Sequence, residues 1–260
     1  MYYVIQEGMF KEEGHIALVN ILERHGFEFE EILFRPFVEG IDLKTERKDV
    51  FVFGSVNLNK KIEKYQLNPG TLDNENHDFK VYAAHYGKNM LNSDAKVIKF
   101  GDPLPEKFIG KEFFARPTKD TKVFSGQVFT PEEWAEWQKN LEDSNLTQNL
   151  KAETEIVIST PKSIYQEIRC WIVGGKVITM SQYKVGSRVI AVNMDNNDYA
   201  EEFAQSIADI FCPAEAFVLD ICLVEDNWKV VEVNCINSAG FYKGDMSKLI
   251  QAIESHFNKN

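Results

Sequence analysis

"AFVLDICLVEDNWKVVEVNCINSAGFY", residues 216–242, reads as two apolar strands joined by a short polar turn. Side chains alternate along a strand, so Val231, Val233 and Cys235 share one face, and Glu232 and Asn234 share the other with Val230 and Ile236. A carboxylate on so apolar a strand needs a partner, because burying an unpaired charge is costly. If the turn is Glu225-Asp226-Asn227, pairing outward sets Asp220 opposite Glu232 and Val218 opposite Asn234. Facing carboxylates repel. With an amide oxygen beside them they make a donor set suited to magnesium, which takes few protein oxygens and completes its shell with water and phosphate. A two-residue turn at 226 and 227 would put Asp220 and Glu232 on opposite faces, and the competing reading is a solvated edge pair.

The stretch before it, "QEIRCWIVGGKVITMSQYK" (166–184), carries a two-glycine hairpin signal at Gly174-Gly175. Regular pairing from that turn predicts Val173 opposite Lys176, Trp171 opposite Ile178, Arg169 opposite Met180, Glu167 opposite Gln182 and Tyr165 opposite Lys184. One face then collects Glu167, Arg169, Lys176, Gln182 and Lys184, and the other Ile164, Ile168, Cys170, Ile172, Val177 and Thr179. A polar sheet face is ordinarily solvated, but Tyr165 and Trp171 on the charged side favour a covered or cleft-lining face.

Composition sets outer limits. The 260 residues, 44% hydrophobic and 27% charged, define a globular chain long enough for one large domain or a few lobes. A net charge of −11 argues against non-specific nucleic-acid binding. No apolar run is long enough to span a bilayer and no leader pattern is evident, so no membrane association and a cytoplasmic location are expected. Cys170, Cys212, Cys222 and Cys235 sit in apolar settings without paired spacing and read as small buried hydrophobes.

Residues 1–100 alternate strand-like and helix-like segments, predicting a small α/β lobe, and 101–260 form the second domain. "VFGSVNLNKK" (52–61) is either a strand end meeting a helix start, where such sheets collect ligands, or an ordinary serine cap. Thr130-Pro131-Glu132-Glu133 has capping-box spacing, predicting a helix over 131–142 with Trp134 and Trp137 in the core. Helices are also expected on the apolar faces around Ala200–Phe211 and behind an Asp245 cap. His15 and His85 read as surface or capping groups, Arg188 as a candidate for a substrate carboxylate, and Asn237 and Ser238 as turn formers or phosphate contacts.

Together, 166–184 and 216–242 resemble the C-terminal half of the ATP-grasp superfamily, and "FFARPTKDTKVFSGQVF" (113–129) resembles a little-characterised, phage-associated clade of it. The resemblance implies a mixed α/β and α+β chain, with an N-terminal α/β lobe followed by two α+β subdomains gripping ATP. It implies ATP and Mg2+ as cofactors, with Asp220, Glu232 and Asn234 as metal ligands and Arg169 and Lys184 as catalytic cations. Arg116, Lys122 and Lys184 are implied on the nucleotide phosphates, and backbone groups of Ile158, Ser159 and Thr160 at the adenine. Many ATP-grasp enzymes carry Lys where this chain has Arg116; an arginine binds phosphate with a fork, a lysine as a point charge. The implied activity is ligation of a carboxylate, activated as an acyl phosphate, to an amine or similar nucleophile, with a small molecule or peptide as partner. The rivals are a non-catalytic nucleotide-binding module and a phosphotransferase with another acceptor. Oligomeric state and the identity of the acid are not encoded in any motif.

Overall fold

The computed structural model describes residues 1–10, 12–119, 123–143 and 150–258. Met1–Glu75 and Ile164–Asn260 form one compact unit and Asn76–Ser163 another. This differs from the expected division at residue 100. The reason is a shared core: Tyr3, Ile5, Phe51 and Phe53 from the start of the chain pack in one cluster with Trp171, Val218, Ile236, Leu249 and Ile253. Apolar burial ignores sequence distance, so the N-terminal strands belong with the C-terminal sheet.

The first unit begins with β1 (Tyr2–Gln6), α1 (Glu12–His25), β2 (Phe29–Ile32), β3 (Asp49–Phe53), α2 (Val56–Ile62) and β4 (Asn68–Gly70). Its four strands lie in order β2-β1-β3-β4, all pairs parallel. This is the predicted α/β lobe. Leu18 and Leu22, one helical turn apart, bury the inner stripe of α1, and Gly26 ends it at φ 71°, the left-handed conformation a helix stop favours.

The second unit holds α3 (Phe79–Tyr86), β5 (Lys96–Lys99), β6 (Phe113–Pro117), β7 (Gln127–Phe129), α4 (Pro131–Asp143) and β8 (Glu155–Ser159). Its antiparallel sheet has the order β5-β8-β6-β7. The capping box closes as its spacing predicts: Glu133 N–H donates to Thr130 Oγ1 at 3.2 Å, and Thr130 N–H to Glu133 Oε2 at 2.8 Å. Trp134 on the following turn is fully buried among Phe100, Phe113 and Phe129.

The chain returns to the first unit with β9 (Gln166–Val173), β10 (Lys176–Val185), β11 (Arg188–Asn193), α5 (Asp198–Ile210), β12 (Ala216–Val224), β13 (Asn227–Cys235) and α6 (Met246–Phe257). The strands form an antiparallel sheet in order β11-β10-β9-β12-β13. Asp245 caps α6 by accepting from Lys248 N–H at 3.1 Å, and α6 packs against α1, β9 and β10. All four cysteines are free thiols, three of them buried. Among the described residues, no helix is long and apolar enough to cross a membrane.

Candidate active site

The sheet order places β12 between β9 and β13, so Asp220 is flanked by Arg169 on one side and Glu232 on the other. Val218, two residues earlier, is flanked by Trp171 and Asn234. The predicted opposition of Asp220 and Glu232 is present, but by another route. The turn is Glu225-Asp226 alone, since Val224 pairs with Asn227, and Glu225 takes the positive φ of 53° that such short turns require. Left regular, this even turn would set Asp220 against Val231. A β-bulge intervenes: Ile221 pairs with Val230 and Asp220 with Glu232, leaving Val231 as the extra residue. The bulge also moves Val230, expected beside Glu232, to the face of Ile221 and Val233.

The β9–β10 hairpin departs from regular pairing as well. Val173 pairs with Lys176 as predicted, but the register shifts at Ile178 and again at Tyr183. Arg169 therefore lies opposite Ser181 and not Met180, and Glu167 lies opposite Lys184 and not Gln182. The consequence is an ion pair at 2.7 Å between Lys184 Nζ and Glu167 Oε1. On the same face the apolar end, Trp171 and Val173, is buried in the core, so one sheet face is half core and half polar site.

The polar half is tightly connected. Arg169 donates from Nε to Asp220 Oδ1 at 2.9 Å and from Nη2 to Oδ2 at 2.7 Å, a bidentate fork, and from Nη1 to Gly240 O at 3.3 Å. Asn234 Nδ2 donates to Asp220 Oδ2 and to Glu232 Oε1, both at 3.1 Å. Tyr183 donates its hydroxyl proton to Glu167 Oε2 at 2.8 Å. The Arg169 guanidinium lies over the rings of Tyr242, 5.1 Å from its centroid, and Tyr183, 5.7 Å away. Asp220 is 1% exposed. Burial pushes its carboxyl up to about 6, aided by Glu232 and Glu167 and opposed by Arg169. Burial alone would lower the Arg169 guanidinium, but the Asp220 charge holds it above its ordinary value. Desolvation, then Asp220 and Glu167, raise the Tyr183 hydroxyl.

Three carboxylates, those of Asp220, Glu232 and Glu167, thus meet two cations, Arg169 and Lys184. Asn234 Nδ2 already does in part what a cation would do, bridging two of the carboxylates. Turning that amide would offer its oxygen instead, giving an all-oxygen set that fits a hard divalent ion. Among the described residues no group of three or more His, Cys, Asp or Glu could hold a metal, so the candidate set needs the Asn234 amide as its third donor.

The remaining predicted residues lie in the second unit. Arg116 on β6 donates from Nη2 to the Tyr82 hydroxyl and lies over the Phe79 ring at 5.4 Å. Ile158 is an interior residue of β8, paired with Lys96 and Ala115. The Ser159 hydroxyl donates to Asn92 Oδ1 at 3.0 Å. Thr160 N–H and Oγ1 both donate to Asp94 Oδ2, at 3.2 and 2.8 Å, and Thr160 O accepts from Lys162 Nζ at 2.8 Å. Lys122 lies outside the described residues.

Other readings resolve in the first unit. Ser55 caps α2, accepting from Leu58 N–H at 3.3 Å. Asn237 is a fully buried clip: Nδ2 donates to Val52 O at 2.6 Å and Gly70 O at 3.2 Å, while Oδ1 accepts from Leu72 N–H at 2.8 Å. His15 pairs with Glu31 at 2.8 Å, and Arg188 is exposed at the start of β11. Sequence reasoning passes over Tyr183 and Tyr242. No periodicity marks either, since Tyr183 is where the β10 register shifts and Tyr242 lies beyond β13.

This architecture is that of ATP-grasp enzymes. It is similar over 99% of its length to 99% of the D-cycloserine synthetase DcsG, with a TM-score of 0.64 at 12% identity. It is also similar over 100% of its length to 94% of the D-alanine–D-alanine ligase of Bacillus anthracis, with a TM-score of 0.60 at 12% identity. The ATP-grasp ligase PsnB, in a complex with a minimal precursor, Mg and ADP, matches 99% of the chain over 97% of its own, with a TM-score of 0.56 at 12% identity. At these identities the likeness speaks to the fold. Residues 81–253 match the model of an ATP-grasp domain, clade family 3, and the chain belongs to that family. No curated protein sequence matches it.

Proposed function

We propose that this chain is an ATP- and Mg2+-dependent ligase acting on an amino acid or peptide. A substrate carboxylate oxygen would bond to the γ-phosphorus as the bond to the β-phosphate oxygen breaks, releasing ADP. An amine or similar nucleophile would then attack the acyl carbon, lose a proton and expel phosphate. The observation that carries this reading is the convergence of Asp220, Glu232 and Asn234 beside the buried Arg169–Asp220 fork.

Asp220, Glu232 and the Asn234 amide are the residues that would hold Mg2+, which when bound supplies positive charge to the phosphate oxygens. Arg169 has five N–H groups and uses three on Asp220 and Gly240, so each terminal nitrogen keeps one for an oxyanion. Lys184 is 40% exposed on its side chain and can leave Glu167 for a phosphate or acyl-phosphate oxygen. Arg116 and Lys122 are proposed as further phosphate contacts. Backbone groups at Ile158–Thr160 are proposed for the adenine, although Thr160 must first release Asp94 or Lys162.

The test is release of ADP and phosphate from ATP and Mg2+, with and without a pool of amino acids and peptides. A ligase gives substrate-dependent release of both. Nucleotide that fails to bind at all would overturn the reading, and phosphate retained on a new acceptor would convert it to a phosphotransferase.

A further inference from the structure

The geometry points to Tyr242 as a positioning residue that holds the Arg169 guanidinium in register with Asp220, an inference that rests on the ligase reading above. Tyr242 has φ 45°, a left-handed conformation that brings Cβ too close to the following carbonyl oxygen and is unfavourable for a side-chain-bearing residue. Such strain persists where surrounding contacts over-determine it. Here the contacts are specific. The Tyr242 ring stacks on Tyr183 with centroids 5.1 Å apart and planes 14° from parallel, and the guanidinium lies over both rings.

Tyr183 is brought there by a second irregularity, the register shift between Gln182 and Lys184. Its hydroxyl is fixed on Glu167 Oε2, and the other oxygen of that carboxylate holds Lys184. Two departures from regular backbone thus assemble one platform: a pair of rings above Arg169, tied through buried Glu167 to Lys184. A guanidinium fork bonds a carboxylate well only in its plane, and a cation over an aromatic face gains further attraction. The rings restrict the fork to the orientation in which it grips Asp220 while its remaining N–H groups stay available.

The test compares three variants in the full chain. Asn tolerates the left-handed region, so Tyr242→Asn removes the ring without adding backbone strain. Tyr242→Phe keeps the ring, and Tyr242→Leu keeps apolar bulk without an aromatic face. Loss of orientation by such small displacements costs about 10- to 100-fold, so kcat is expected to fall by that factor in Y242N and Y242L, with KM for ATP and thermal midpoint little changed, and to recover in Y242F. Hydrogen exchange of the Arg169 Nε–H, assigned by its loss in R169K, is read in parallel without nucleotide. It is expected to be slow in wild type and Y242F and fast in Y242N and Y242L. Slow exchange in Y242L, or in Y242N, with wild-type kcat would overturn the proposal. If wild type turns over no ATP with any carboxylate, the ligase reading fails, and the exchange measurement still decides the role of Tyr242.

Discussion

Replacement of Asn237 by alanine isolates what this residue does. Its amide makes three hydrogen bonds to the backbone of the N-terminal lobe, to Val52 O at 2.6 Å, Gly70 O at 3.2 Å and Leu72 N–H at 2.8 Å, and it also accepts from Cys235 Sγ at 3.2 Å. The side chain is fully buried, so water cannot replace it without opening the structure. Each stranded backbone group costs about 1–3 kcal/mol. Gly70 O has the longest of the three backbone bonds, so the sum is weighted to Val52 O and Leu72 N–H and comes to about 3–5 kcal/mol. That is a large share of the roughly 5–15 kcal/mol typical of a folded domain. It corresponds to a fall in melting temperature of about 6–20 °C, at about 2–4 °C per kcal/mol for a chain of this size. Urea unfolding followed by tryptophan fluorescence measures it. Because every amide group is already committed to protein, nucleotide affinity of the folded variant should match wild type. A loss below about 1 kcal/mol, well under the cost of even two stranded groups, or an intact fold with weakened nucleotide binding, would refute the reasoning and return Asn237 to the ligand.

Other perturbations give equally definite outcomes. Asp220→Asn removes the charge opposite a buried guanidinium while keeping one acceptor; a stability loss of about 1–3 kcal/mol in denaturant titration and a fall in Mg2+-dependent ATP turnover of about 100-fold or more are expected, and unchanged turnover would remove Asp220 from the site. Burial alone would raise the Asp94 carboxyl, but Lys107, Lys162 and Thr160 hold it well below the usual range. Its folded value being depressed, its stabilisation is complete above the unfolded aspartate value near pH 4 and disappears as pH falls below that. The stability gap between wild type and Asp94→Asn, measured by denaturation, should therefore be flat above about pH 5 and shrink in acid. Thr130→Ala breaks the capping box of α4 and should cost about 1 kcal/mol in thermal unfolding, with no effect if the cap were incidental.

Much of the molecule is legible in its sequence. The strands and helices of both halves follow from alternation, three-four spacing and caps at Thr130 and Asp245, and the Asp220–Glu232–Asn234 grouping follows from strand parity. Parity is also where such reading fails. A turn of two residues instead of three changes every face downstream, and only the extra residue Val231 restores the pairing. Bulges carry no compositional signature here, so Ile178 and Tyr183 do not read as register shifts, and regular pairing sets Lys184 against Tyr165 when it faces Glu167. "NSAG" looks like a turn because the partners of Asn237 lie 165 to 185 residues away. Asp220 invites a metal when its neighbour on β9 is unknown; once Arg169 is seen opposite it, part of the charge is already answered.

The discontinuity of the first unit bears on how the chain folds as it is made. Residues 76–163 form a unit of consecutive sequence, with Phe100, Phe113, Trp134 and Ile158 filling one cluster, so it can complete its core soon after leaving the ribosome. The strands of residues 1–75 emerge first but finish last: Tyr3 and Phe51 lack Trp171 and Ile253 until the final helix is synthesised, and Val52 waits for Asn237. Domains generally fold as units during synthesis, those nearest the N-terminus first. Here that order is reversed, and the early parallel strands must be kept from other partners for the length of an entire intervening unit.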